Sequence, residues 1–303
     1  MNMRIKFAGM TFQNPFVLAS GILGVSASLL KRVETAGAGA VTTKTVTRKP
    51  RSGYRNPVVV ELEYGLLNAI GLSNPGVEEF SKEVAEAKKI LSIPLIASVT
   101  GSSGGEMVEL ATAMEAAGAD AVELNLSCPH VKGHGLELGH DPGVVREVVS
   151  AVKSMVKIPV LVKLSPSLPS LVPIAEKAVE AGADGVVAVN TIRAMAIDVD
   201  FRRPVLTSVY GGLSGPALHP IAVRCVYEVY EALGDVPIIG VGGVITWRDA
   251  VELMLAGARA VGVGTGIMYR GLEIFRELRK GLEAYMEKYG FTTPEELVGA
   301  AHK

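Results

Sequence analysis

Only two cysteines, Cys128 and Cys225, occur in 303 residues. They are too few for a disulfide framework and point to a reducing compartment. An excess of one charge is missing as well: 30 Lys and Arg face 31 Asp and Glu, leaving a net charge of −1. That balance creates no field for nucleic acid or for a membrane surface. No apolar run approaches the length of a bilayer span. The opening stretch MNMRIKFAGMTFQNP holds no sustained apolar segment, so no signal peptide is expected and the chain reads as cytoplasmic. Nothing calls for a second domain. A chain that is 49% hydrophobic buries a large core, and one domain over residues 1–303 accounts for its length.

What the chain does have is internal repetition. Ala-Gly-Ala, a variable residue, Ala or Gly, then Val occurs at 36–41, 117–122, 181–186 and 256–261. A second mark, a proline opening a short apolar run, alternates strictly with it at Pro15, Pro94, Pro159 and Pro237. Glycine suits the left-handed residue that ends a helix, and proline suits the first position of a strand. Eight strand starts alternating with helical stretches describe an α/β fold, a (β/α)8 TIM barrel. The spacing from an Ala-Gly-Ala mark to the next proline is 42 to 58 residues, against 19 to 23 from proline to mark. Long loops therefore follow strands 2, 4 and 6, at the carboxyl end of the barrel where such folds keep their chemistry. Asn74-Pro75 looks like an N-cap and first-turn proline, Pro216 like the start of a helix, and Thr246 like a cap.

The predicted strand ends are Ser20, Lys44, Ser98, Asn125, Lys163, Asn190, Gly242-Gly243 and Gly264-Thr265. Polar groups and glycines on otherwise apolar strands indicate a pocket for a planar, hydrogen-bonding ligand. Glycine-rich loops after strands 7 and 8 suit a phosphate held by backbone N–H groups. Phosphate on that rim, with polar groups across the mouth, fits a flavin mononucleotide. Cys128, just past strand 4, is a candidate nucleophile, ligand or base; Cys225 lies in an amphipathic run and reads as packing. A zinc site from Cys128, His130, His134 and His140 is disfavoured by its short, irregular spacing, and no metal is expected. The loop around them reads instead as a glycine-hinged lid.

These residues together resemble the class 1 dihydroorotate dehydrogenases, subtype 1B in style. The motifs are Ala19-Ser20-Gly21, Lys44-Thr45, NAIGLSNPG at 68–76, ELNLSCP at 123–129, Lys163, Asn190-Thr191, GGLSGP at 211–216, Gly242-Gly243 and Gly264-Thr265. The resemblance implies FMN-dependent oxidation of dihydroorotate to orotate in pyrimidine biosynthesis, with Cys128 removing the C5 proton and flavin N5 taking the C6 hydride. It implies FMN contacts from Ser20, Lys44, Thr45, Ser98, Asn125, Lys163, Val189, Gly215, Gly242, Gly243, Gly264 and Thr265. Substrate contacts are implied for Lys44, Asn68, Ala69, Ile70, Gly71, Leu72, Asn125, Asn190 and Thr191. It also implies a homodimer core in a heterotetramer with an iron–sulfur/FAD subunit that passes electrons to NAD; this chain has no cysteine cluster for a centre of its own. Two positions depart from the family pattern, His130 and Ser98, where asparagine is usual. The alternatives are a dihydropyrimidine dehydrogenase-like reductase, separated by the substrate carboxylate, and a flavin-free lyase or isomerase acting on a sugar phosphate.

Overall fold

The computed structural model describes residues 2–126 and 138–302. Eight parallel strands close into a barrel: β1 (Phe16–Leu18), β2 (Ala40–Thr42), β3 (Leu95–Val99), β4 (Ala121–Asn125), β5 (Val160–Leu164), β6 (Gly185–Ala188), β7 (Ile238–Val241) and β8 (Ala260–Val263). Each pairs with the next in sequence, and β8 returns to β1. Helices α1 (Ala27–Thr35), α2 (Val77–Ile90), α3 (Gly104–Ala116), α4 (Pro142–Lys153), α5 (Val172–Glu180), α6 (His219–Leu233) and α7 (Trp247–Leu255) connect them. A short α8 (Gly266–Arg270) and a long α9 (Ile274–Tyr289) follow β8.

The repeated marks are the joints of this barrel. Gly37, Gly118, Gly182 and Gly257 have φ of 109°, 94°, 98° and 123°, a conformation that a side chain disfavours. Each proline directly precedes an odd-numbered strand, and its carbonyl accepts the N–H of the valine that ends a neighbouring mark. The donors are Val261 to Pro15, Val41 to Pro94, Val122 to Pro159 and Val186 to Pro237, at 2.8 to 3.0 Å. Two marks carry an aspartate that tightens the joint. Asp120 accepts from the Leu95 N–H at 2.7 Å and from Lys88 at 2.6 Å. Asp184 does the same with the Val160 N–H and Lys153, both at 2.7 Å.

An N-terminal hairpin, Ile5–Phe7 with Met10–Phe12, closes the amino end of the barrel. Positive φ at Ala8 (46°) and Gly9 (79°) gives the tight two-residue turn that such a hairpin needs. Phe7, Phe12, Ile5 and Met10 pack against Val17, Ala40, Ile96, Ala121, Leu161, Val187, Ile239 and Ala260, the inward residues of the eight strands. The sequence reading did not anticipate this plug. At the opposite end, the excursions after β2 and β6 build one antiparallel sheet. Its order is Ile192–Ala194, Gly211–Ser214, Gly65–Asn68 and Val59–Leu62.

Three boundaries refine the expectations. Thr246 and Asp249 form a capping box at α7, as expected for Thr246. Asn74 does not cap α2; Gly76 occupies that position without a side-chain bond. The Asn74 side chain is committed to its own loop, accepting from the N–H groups of Thr47 and Gly76 and donating to the Leu72 carbonyl. A 3-10 turn, Pro216–Leu218, precedes α6, which starts at His219 rather than at the proline. Cys225 is fully buried in α6, and burial pushes its thiol pKa up, consistent with packing.

Candidate functional site

Alternation along the strands sets the layers of the barrel interior. Ile96, Ala121 and Leu161 belong to the apolar floor, so the residues two positions on, Ser98, Glu123 and Lys163, face inward one layer higher. All three are buried, and they form a polar layer above the oily one. Ser98 Oγ lies 2.8 Å from Glu123 Oε1, and Lys163 Nζ lies 3.8 Å from the same oxygen. Two buried charges of opposite sign are tolerable only when paired in this way.

The hydroxyl chain leading to Glu123 has a fixed direction. A hydroxyl has one hydrogen and two lone pairs, and a carboxylate only accepts. Ser98 therefore donates to Glu123, Thr45 donates to Ser98 across 2.9 Å, and Ser20 donates to Thr45 across 3.1 Å. Thr45 Oγ1 also accepts from Asn125 Nδ2 at 3.2 Å, which uses its second lone pair. The Asn125 carbonyl oxygen accepts from Asn190 Nδ2 at 3.3 Å, and the Asn190 oxygen accepts from the Thr191 N–H at 2.8 Å. One continuous network thus crosses the mouth from β1 to the end of β6.

Above this network lies a cavity of about 940 Å³, in the size range of cofactor sites. Ser20, Lys44, Thr45, Asn125 and Lys163 supply its base, and Val189, Asn190 and Thr191 one flank. Asn68, Ala69, Ile70, Gly71 and Leu72 descend from the antiparallel sheet to form a roof, pinned where Asn68 Nδ2 donates to the Gly212 carbonyl at 3.2 Å. Gly215, Gly242, Gly243, Gly264 and Thr265 make the far rim. A Cβ on Gly264 would meet nothing nearer than Ala19 Cβ, at 3.7 Å. It would stand in the cavity itself, in space that a bound group can take.

Ser98 does not line the cavity. It is fully buried beneath Thr45, because its position on β3 places it one layer below the mouth. Ser98 therefore reaches the mouth only through its hydrogen bond with Thr45, which corrects the expectation of a direct contact. Cys128, His130 and His134 lie outside the described residues. His140 lines the cavity, and no group of three or more metal-ligating side chains occurs among the described residues.

The base of the site is cationic. Lys44 and Lys163 place two buried ammonium groups at the mouth, and Glu123 stands beside Lys163. Burial first, and then repulsion from Lys163, hold the Lys44 pKa below its ordinary value. The Lys44 ammonium has no side-chain acceptor among the described residues, so it is set to receive an anionic or electron-rich ligand. Glu123 had no role in the sequence reading. A charge in the middle of an apolar strand, at inward parity, was the signal that could have found it. His219 was also missed; it reads as one more residue of a helix start, and only its contacts set it apart.

A family profile described as dihydroorotate dehydrogenase matches residues 2–286. A Pyrococcus furiosus protein named dihydroorotate dehydrogenase B (NAD(+)), catalytic subunit, is 46% identical over 303 residues and covers all of both chains. A Methanothermobacter thermautotrophicus protein of the same name is 49% identical over 292 residues, spanning 96% of this chain and 95% of its own. A crystal structure of DHODH in complex with ferulenol from Eimeria tenella superposes with a TM-score of 0.87 at 24% identity, covering all of this chain and 89% of that one. At that identity the superposition speaks for the barrel architecture alone.

Proposed function

The chain belongs to the dihydroorotate dehydrogenase family of oxidoreductases, and from that premise we propose that it oxidises dihydroorotate to orotate in pyrimidine biosynthesis, with FMN held in the barrel mouth. The observation that carries this reading is the pair of buried ammonium groups, Lys44 and Lys163, beneath an amide-lined cavity with an open glycine rim. FMN, when bound, supplies the hydride acceptor. The rim glycines and Thr265 suit its phosphate through backbone N–H groups. Lys163 supplies positive charge beside the electron-rich edge of a flavin ring, held in place by Glu123.

Lys44 pairs with the substrate carboxylate. Asn68, Asn125 and Asn190 match the donor and acceptor edge of a pyrimidine, and an analogue that leaves those amides unpaired is rejected. Residues 69–72 and Thr191 complete the enclosure. Cys128 removes the C5 proton, a weakly acidic one that needs a positioned base. The relatives' names describe the catalytic subunit of an NAD enzyme. By that likeness this chain passes electrons to an iron–sulfur/FAD partner subunit, around a homodimeric core.

Anaerobic stopped-flow mixing tests the reading. Dihydroorotate is expected to bleach the bound flavin rapidly, and dihydrouracil, which lacks the carboxylate, far more slowly. Cys128→Ser is expected to retain FMN and slow the bleaching by at least about a hundredfold, the usual contribution of a positioned base. Equal rates with both substrates would point to a dihydropyrimidine reductase. Protein that is colourless and binds no flavin would point to a sugar-phosphate enzyme.

A further inference from the structure

One backbone peptide on the glycine rim is oriented from outside the cavity. His219, the first residue of α6, places Nδ1 2.7 Å from the Gly242 carbonyl oxygen. A carbonyl only accepts, so Nδ1 carries the hydrogen. On the other side of the ring, Nε2 lies 3.1 Å from Glu252 Oε2 on α7, a contact that attracts in the ring carrying a hydrogen on both nitrogens, because a carboxylate only accepts. The imidazole is thereby held between the loop after β7 and the helix that follows it. Packing is close: a Cβ on Gly243, where φ is +67°, would fall 2.7 Å from His219 Cβ.

The consequence follows from peptide planarity. In a trans peptide the C=O and the following N–H point in opposite directions. With the Gly242 carbonyl drawn toward His219, the Gly243 N–H is turned away from α6, and Gly243 lines the cavity. No acceptor for that N–H occurs among the described residues. We propose that His219 is a positioning residue for the anionic end of the ligand: by holding the Gly242 carbonyl it presents the Gly243 N–H to the phosphate in the mouth. Glu252 steadies the ring from α7. The proposal rests on the FMN reading and goes beyond it by assigning a role to a residue that touches neither flavin nor substrate.

The test is a pair of titrations on flavin-stripped protein, with FMN and with riboflavin, which lacks the phosphate. Fluorescence quenching reads the dissociation constants. The unaltered protein is expected to prefer FMN. His219→Ala is expected to cut that preference about tenfold, the loss of one bond to a charged group, while riboflavin affinity holds. His219→Asn, whose amide donates from near the Nδ1 position, is expected to restore most of it. Equal weakening toward both flavins, or no recovery with asparagine, overturns the positioning role. Should the unaltered protein show no preference for FMN over riboflavin, the phosphate reading of the rim fails and this proposal falls with it.

Discussion

Lys44 bears an electrostatic cost at the mouth. Its side chain is stripped of water and lies near a second ammonium, so its pKa sits below the ordinary 10.5. The unfolded chain binds that proton more tightly than the folded one does. Stability of the ligand-free protein therefore rises with pH through the window between the lowered value and 10.5, and the cost is fully present below it. Ligand affinity runs the other way, because an anion is held by the protonated form. Affinity for orotate is expected to fall as pH climbs through the lowered value, before 10.5 is reached. Lys44→Met should stabilise the empty protein, weaken orotate binding about tenfold or more, and flatten that pH dependence. Orotate titrations between about pH 7 and 10 with both proteins check this; a flat profile in the unaltered protein counts against it. Lysines at strand ends were visible in the sequence. Their mutual repulsion and the carboxylate beside Lys163 were not, since Glu123, Lys44 and Lys163 come from three separate segments of the chain.

Among the elements, the four Ala-Gly-Ala marks form a natural comparison. All four glycines have positive φ, yet their surroundings differ. Cβ atoms on Gly37, Gly118 and Gly182 would meet only ordinary contacts at 3.5 Å or more from flexible side chains. On Gly257 a Cβ would fall 2.2 Å from Tyr230 Cγ, a ring carbon of α6. Gly118→Ala is expected to cost about 1–2 kcal/mol, the left-handed backbone penalty alone. Gly257→Ala should cost clearly more, because the ring of Tyr230 must move as well. Denaturant unfolding of the two variants decides the matter, and equal losses would show that the Tyr230 contact relaxes freely. Local sequence reveals the need for glycine at each mark. The clash that ranks them is invisible to it, because Tyr230 stands far along the chain.

The barrel as a body is shut at one end and open at the other. Phe7 and Phe12, both fully buried with centroids 5.2 Å apart, seal the amino end. Phe12→Ala is expected to lower stability by about 3–5 kcal/mol while leaving the flavin affinity of folded protein unchanged, since the polar layer separates plug from mouth. A loss of flavin affinity equal to the loss in stability would refute that independence. The repeated glycine and proline marks were enough to announce eight strands, their alternation with helices and the side on which long loops collect. Those features depend on local backbone preferences, which neighbouring residues set. The plug, the sheet shared by two distant excursions, Ser98 sinking beneath Thr45 and the hold of His219 on Gly242 each join segments remote in sequence. Such contacts exist only once the barrel has closed, because closure is what brings the inward faces of all eight strands, and the loops that leave them, within bonding distance of one another.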